Sequence, residues 1–278
     1  MAEIKREQLA AMNQHYQKFS FDYFLDCQQK AMFSNIELWC GASHFWLDSE
    51  GYGDCVSLKK KLRSRNMKVV SVTSPSCAYQ YQYAAMEPFH MERSRRYFSN
   101  GICVAHELEA KISVVNSGWG YAGEDEDDMW KRSAENLHAL AERAGTLGVT
   151  LAMESLRGDE SNIVNNLASA KKMFEIVNHP NLKMTADTIA TGAAGETLTQ
   201  WFDAFGENLV HMHFLDGDPY VHNAWGDGNT PLERQIAVME TYGYAGYLVQ
   251  EIADERYFAD PLAADLKNMR VLERFLTD

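Results

Sequence analysis

Thr150-Leu-Ala-Met-Glu154, Leu182-Lys-Met-Thr-Ala-Asp187, Leu209-Val-His-Met-His213 and Tyr247-Leu-Val-Gln-Glu251 decide how this chain is read. Each is an apolar run of strand length that ends in a side chain able to hold a cation. A segment of helical character follows each one. The end residues lie 33, 26 and 38 residues apart (154 to 187, 187 to 213, 213 to 251), about one strand and one helix each time. Functional side chains at the C-terminal ends of successive parallel strands are the arrangement of a β/α barrel.

The first half repeats the scheme. Leu9-Ala-Ala-Met12, Asn35-Ile-Glu-Leu-Trp39, Lys68-Val-Val-Ser-Val72 and Lys111-Ile-Ser-Val-Val115 read as four earlier strands. Between and after the strands, the helical pattern predicts eight helices: 21–32 with Ser20 as cap, 54–65, 91–108, 129–147, 166–177, 196–205, 231–242 and 261–276. Pro231 and Pro261 stand where a first turn tolerates proline. The acidic run Glu124 to Asp128 suits a helix N-terminus through the helix dipole. Eight strand–helix units in 278 residues, with no linker or low-complexity stretch, predict a single (β/α)8 TIM barrel over residues 1–278.

Hydrophobic residues make up 46% of the chain, enough for a large core. The net charge of −13 is the wrong sign for nucleic acid or an anionic membrane. Five cysteines at no metal-knuckle spacing read as reduced thiols. No apolar run reaches the roughly 18 residues of a membrane span, and the polar N-terminus lacks a signal-peptide core. A cytoplasmic enzyme is the expectation.

Glu154, Asp187, His213 and Glu251 form an oxygen-rich donor set with one nitrogen and no thiolate, which suits Mn²⁺, with Mg²⁺ or Co²⁺ as alternatives. Three carboxylates in one place need a cation to hold them together. Two glutamates on opposite sides of a bound sugar can also act as an acid–base pair. One removes the proton beside a carbonyl, and the other returns it on the opposite face through an enediolate.

These residues, with Met153-Glu154-Ser-Leu, Glu160-Ser-Asn162, His211-Met-His213-Phe-Leu-Asp216 and His222-Asn-Ala-Trp-Gly226-Asp-Gly228, resemble the xylose-isomerase-like barrel superfamily of sugar isomerases and epimerases. The nearest branch is the fructoselysine 3-epimerase type, with D-tagatose and D-psicose 3-epimerases more distant. The likeness runs from Asn35 to the last helix. It implies that Glu154, Asp187, His213 and Glu251 bind the metal and that Glu154 and Glu251 are the catalytic pair. It also implies that Glu160, in a motif shared with Asn162, binds sugar hydroxyls. The tagatose and psicose epimerases carry a histidine three residues after the aspartate ligand and an arginine six after the histidine ligand. Here Ala190 and Pro219 stand there. The reaction type is retained and the substrate changed, and position 190 reads as open space beside the site.

Other residues carry two readings each. His211 points the same way as His213 on a strand and is either a further ligand or a supporting or packing residue. His222, before two glycines that let a loop fold tightly, is assigned to substrate binding. Trp119 stacks on a sugar or plugs the barrel. His44, in the aromatic loop 40–47, lines a pocket or packs. Arg157 offsets the acids or meets solvent. The tyrosine-rich loop with Tyr79, Tyr81 and Tyr83 is a lid, a surface strand or a subunit interface.

The expected partner is a sugar or sugar conjugate, with a homo-oligomer as the assembly. A second function uses the same donor set: the metal-bearing subunit of a C-glycoside deglycosidase, acting on 3-oxo-glucosides with a small second subunit. An endonuclease IV-like role lacks the further histidines and the positive groove it needs. A degenerate, non-catalytic barrel is the remaining alternative.

Overall fold

Alternation along Asn35–Trp39 sends Ile36 and Leu38 into the layer beneath the helices, so Asn35, Glu37 and Trp39 face the barrel interior. The same rule applies to all eight strands of the computed structural model, which describes residues 3–41, 43–76, 81–218 and 220–277. The strands are β1 (Leu9–Met12), β2 (Asn35–Trp39), β3 (Lys68–Thr73), β4 (Ile112–Val115), β5 (Thr150–Glu154), β6 (Leu182–Asp187), β7 (Leu209–His213) and β8 (Tyr247–Gln250). Each pairs in parallel with the next, and β8 closes on β1, where Ala10 stands opposite Val249. The predicted closed parallel barrel is the observed one.

Two strands break the period of two. In β7, Leu209 and Met212 pack outward, whereas Val210, His211 and His213 all face inward. The pairing of β6 with β7 shifts register at this point. Strand β3 does the same: Val69 and Val72 pack outward, Val70, Ser71 and Thr73 inward, at a register shift against β2. Each bulge re-phases its strand so that the polar residues beyond it enter the barrel.

Nine α-helices occur among the described residues. They are α1 (Phe21–Lys30), α2 (Cys55–Arg63), α3 (Pro88–Glu107), α4 (Glu126–Thr146), α5 (Leu167–Val177), α6 (Thr188–Ala193), α7 (Leu198–Phe205), α8 (Leu232–Thr241) and α9 (Pro261–Leu272). Ser20 caps α1, its hydroxyl accepting from Tyr23 N–H at 3.2 Å. Asp125 accepts from Asp127 and Asp128 N–H at the start of α4, so the acidic run caps as expected. Helix α3 begins at Pro88, three residues before the predicted start. Pro231 is the N-cap of α8 and not its first helical residue. Helix α6 lies outside the eight-helix reading, since six residues are too few to show a helical stripe. A short parallel pair of Ile4–Lys5 with Leu276–Thr277 joins the two ends of the chain.

Of the tyrosine-rich loop, Tyr79 lies outside the described residues. Tyr81 stacks on Tyr97 at 3.8 Å, and Tyr83 is buried against Phe98. These two pack down on α3. No helix among the described residues is long and apolar enough to cross a membrane.

Candidate active site

Strands β5 to β8 end side by side, and their last inward residues converge. One donor atom from each of Glu154, Asp187, His213 and Glu251 lies within 4.8 Å of the others. His213 Nδ1 stands 2.5 Å from Glu154 Oε1 and 2.9 Å from Glu251 Oε2. Asp187 ends β6 and also caps α6, taking Ile189 N–H on Oδ1 at 2.6 Å. That leaves Oδ2 to face His222 Nε2 at 3.0 Å. The four strand-end residues are thus brought together as the sequence indicated.

Three carboxylates meet here with little access to water; Glu154 and Asp187 are only 8% and 6% exposed. Among the described residues their ion-pair partners are His213 and His222, with no lysine or arginine. Burial pushes Glu154 up to about 7, against the pull of His213. Burial also works to raise Asp187, but His222 and then His213 hold it below the usual carboxylate range. Burial opposes charge on the imidazoles, yet Glu154, Glu251 and Glu37 hold His213 protonated well above the usual range. Asp187 and Glu251 likewise lift His222 to about 9. Protonated imidazoles therefore balance the acids. A divalent cation fits the same charge deficit and the same donor set.

A cavity of about 410 Å³ opens over this cluster at the C-terminal ends of the strands. Glu160 and His222 line it, as the substrate-binding assignment requires. The Glu160 carboxylate is raised by burial against the pull of Arg157, whose backbone N–H and guanidinium both donate to it at 3.1 Å. The same guanidinium donates to the carbonyl of Tyr220, tying the loop after β5 to the loop after β7. Arg157 thus neither meets solvent freely nor touches the acid cluster.

The loop after β7 is organised by buried Asp216, which accepts from the N–H groups of Gly217, Gly226, Gly228 and Thr230. Gly228 is required there, because a Cβ would come within 2.4 Å of Gly217 O. Gly226 adopts φ +93, a region open to glycine. This fold is what delivers His222 to Asp187.

Three other assigned residues lie elsewhere. Trp119 and Asn162 border a separate depression that shares only Glu160 with the cavity. The Asn162 amide is taken up by Gly120, donating to its carbonyl at 2.9 Å and accepting its N–H at 3.0 Å. His44 accepts from Asn13 at 2.8 Å and donates to Phe19 O at 2.9 Å, a pattern that fixes a neutral, packed imidazole; burial also lowers its pKa. Ala190 is 5% exposed on α6 and does not line the cavity, so position 190 is packed where the sequence suggested open space. Pro219 lies outside the described residues.

Sequence reading missed Glu37. Its carboxylate is fully buried inside the barrel and accepts from Thr73 Oγ1 at 2.7 Å, His213 Nε2 at 2.9 Å, His211 Nε2 at 2.5 Å and the Ser71 hydroxyl. Burial would raise this acid, but His213 and His211 hold it well below the usual carboxylate range. His211 is thereby a supporting residue that faces Glu37 and not the donor cluster. The available signal was an acid in mid-strand between the apolar Ile36 and Leu38, where an unpaired charge is expensive.

A family model described as "Xylose isomerase-like TIM barrel" matches residues 29–275. The chain is 26% identical over 245 residues to the fructoselysine 3-epimerase of Shigella flexneri, covering 87% of each. Among solved structures it resembles the 3-keto-D-glucoside 4-epimerase of E. coli, with a TM-score of 0.79, 16% identity and coverage of 96% of this chain and 99% of that one. The D-allulose 3-epimerase of Methylomonas sp. in complex with D-allulose also aligns at a TM-score of 0.79, with 17% identity over 99% of each chain.

Proposed function

The chain belongs to the xylose isomerase-like TIM barrel family, and from that premise we propose that it is a divalent-metal-dependent sugar epimerase or isomerase. Its substrate is a ketose or a ketose conjugate. The observation that carries this reading is the convergence of Glu154, Asp187, His213 and Glu251 beneath a cavity sized for a small molecule.

A cation held by those four residues would offset their charge and polarise the oxygens of a bound sugar. The oxygen-rich set favours Mn²⁺, then Mg²⁺ or Co²⁺. Glu154 ends β5 and Glu251 follows β8, and both carboxylates face His213 Nδ1. One carboxylate takes the proton from the carbon beside the carbonyl, and the C–H electron pair moves into an enediolate. The opposite glutamate returns a proton to the other face, which inverts that carbon. Glu160 lines the cavity and would accept from sugar hydroxyls there. His222 provides the imidazole that Ala190 does not.

Among the described residues Cys27, Cys40, Cys55 and Cys103 are free thiols, which suits a reducing cytoplasm. We read residues 1–278 as one domain and expect a homo-oligomer. A C-glycoside deglycosidase with a small second subunit is the second reading, favoured by Tyr220 and Val221. These exposed side chains border the cavity, where they could meet a flat aromatic group.

The deciding experiment incubates the Mn²⁺-loaded protein with fructoselysine, D-allulose and a 3-oxo-C-glucoside in deuterated water. An epimerase places deuterium on the carbon beside the carbonyl and yields the epimer. Release of aglycone without epimer would favour the second reading. Neither outcome from any ketose, with metal bound, would sink the first.

A further inference from the structure

Below the four-residue cluster, Glu37 makes contacts that its neighbours alone do not require. A carboxylate offers about four lone-pair directions, and here all are filled. Thr73 and His213 donate to Oε1 at 2.7 and 2.9 Å; Ser71 and His211 donate to Oε2, the latter at 2.5 Å. Such a carboxylate has no lone pair left for a cation, although Glu37, His211 and His213 also lie close enough together to suggest one. His213 turns Nε2 toward Glu37, so the ring atom that faces Glu154 and Glu251 is Nδ1.

We propose that Glu37 is the positioning residue of this centre. It fixes both the ring orientation and the tautomer of His213, so that Nδ1 is the ligand atom, while Ser71, Thr73 and His211 hold Glu37 itself in place. The inference rests on the reading of Glu154, Asp187, His213 and Glu251 as a metal set. It adds a fifth residue, from the opposite half of the barrel, on which that set depends. Carboxylates that orient a ligating imidazole tune affinity from outside the coordination sphere.

Two measurements test it. Titration with Mn²⁺ compares wild type, Glu37→Gln and Glu37→Asp. A glutamine amide can donate to Nε2 and so stabilise the wrong tautomer. We expect Glu37→Gln to weaken binding by about 10- to 100-fold, Glu37→Asp to recover part of that loss, and stoichiometry to stay at one ion per chain. Glu37→Gln binding within about twofold of wild type would overturn the proposal while leaving the metal set intact. No binding by wild type would overturn both.

The second measurement needs no variant. Nitrogen-labelled histidine spectra of the Zn²⁺-loaded wild-type protein should show His213 protonated on Nε2 and metallated on Nδ1. The opposite assignment would overturn the proposal even if Glu37→Gln failed to fold.

Discussion

Strands β5 to β8 and strands β2 and β3 serve one centre at two depths. The later strands contribute their last residues, Glu154, Asp187, His213 and the adjoining Glu251, at the floor of an open cavity. The earlier strands contribute Glu37, Ser71 and Thr73, of which Glu37 touches the cluster through His213 while Ser71 and Thr73 hold Glu37. In the proposed function the upper group binds the cation and moves protons, because its three carboxylates line the cavity. The lower group does neither, because its lone pairs and donors are already spent on one another. Chemistry and rigidity are thus divided between two halves of one barrel, and substitutions in each half should fail differently.

The largest loss belongs to the upper group. Glu251→Gln keeps the shape of the side chain and removes its ability to carry a proton between substrate faces. Exchange of substrate protons with deuterated water should fall by at least about 10²-fold, with the far-ultraviolet spectrum unchanged. Normal exchange in that variant would take Glu251 out of the acid–base pair.

Metal removal comes next. A cation present at about 100 times its dissociation constant stabilises the folded state by about 2.7 kcal/mol. Chelation should therefore lower the melting temperature by roughly 5–10 °C for a chain of this size. Uptake should weaken as pH falls below 7. Glu154, raised to about 7, and His213, held protonated well above the usual range, must both release protons before a cation can replace them. A midpoint for binding that does not move between pH 6 and 8 would contradict this linkage.

The division between the halves also explains what could be read in advance. The strand-end ligands were legible because each closes an apolar run, so that a polar residue marks a boundary. Glu37 sits in mid-strand between Ile36 and Leu38, and its partners Ser71, His211 and His213 enter the barrel only after bulges that no strict alternation foretells. Packing decided other cases. Tyr81 and Tyr83 lie against α3, and His44 is held between Asn13 and Phe19, because burial of rings outweighs any preference their loops show in sequence. Position 190 is another such case. Ala190 is buried on α6, so Ala190→His should overpack the site and cost about 1–3 kcal/mol, a loss visible in a urea titration. An unshifted midpoint would mean that the new imidazole finds open space at the cluster after all.

The smallest effect should come from the loops of the first half. Trp46, after β2, is 57% exposed and donates to Asp48 through its indole nitrogen at 2.8 Å. It lines neither the cavity nor the neighbouring depression. If the first half supports the site only from within the barrel, Trp46→Ala should change stability by no more than about 0.5 kcal/mol and leave the Michaelis constant for the ketose unchanged. The same variant bears on the deglycosidase reading, in which an aromatic group or a small second subunit would need apolar contacts above the cavity. A rise of tenfold or more in the constant for a 3-oxo-C-glucoside, with the ketose constant unmoved, would show that the first-half loops reach the substrate's tail. The division between chemistry above and support below would then hold for the reacting carbon alone.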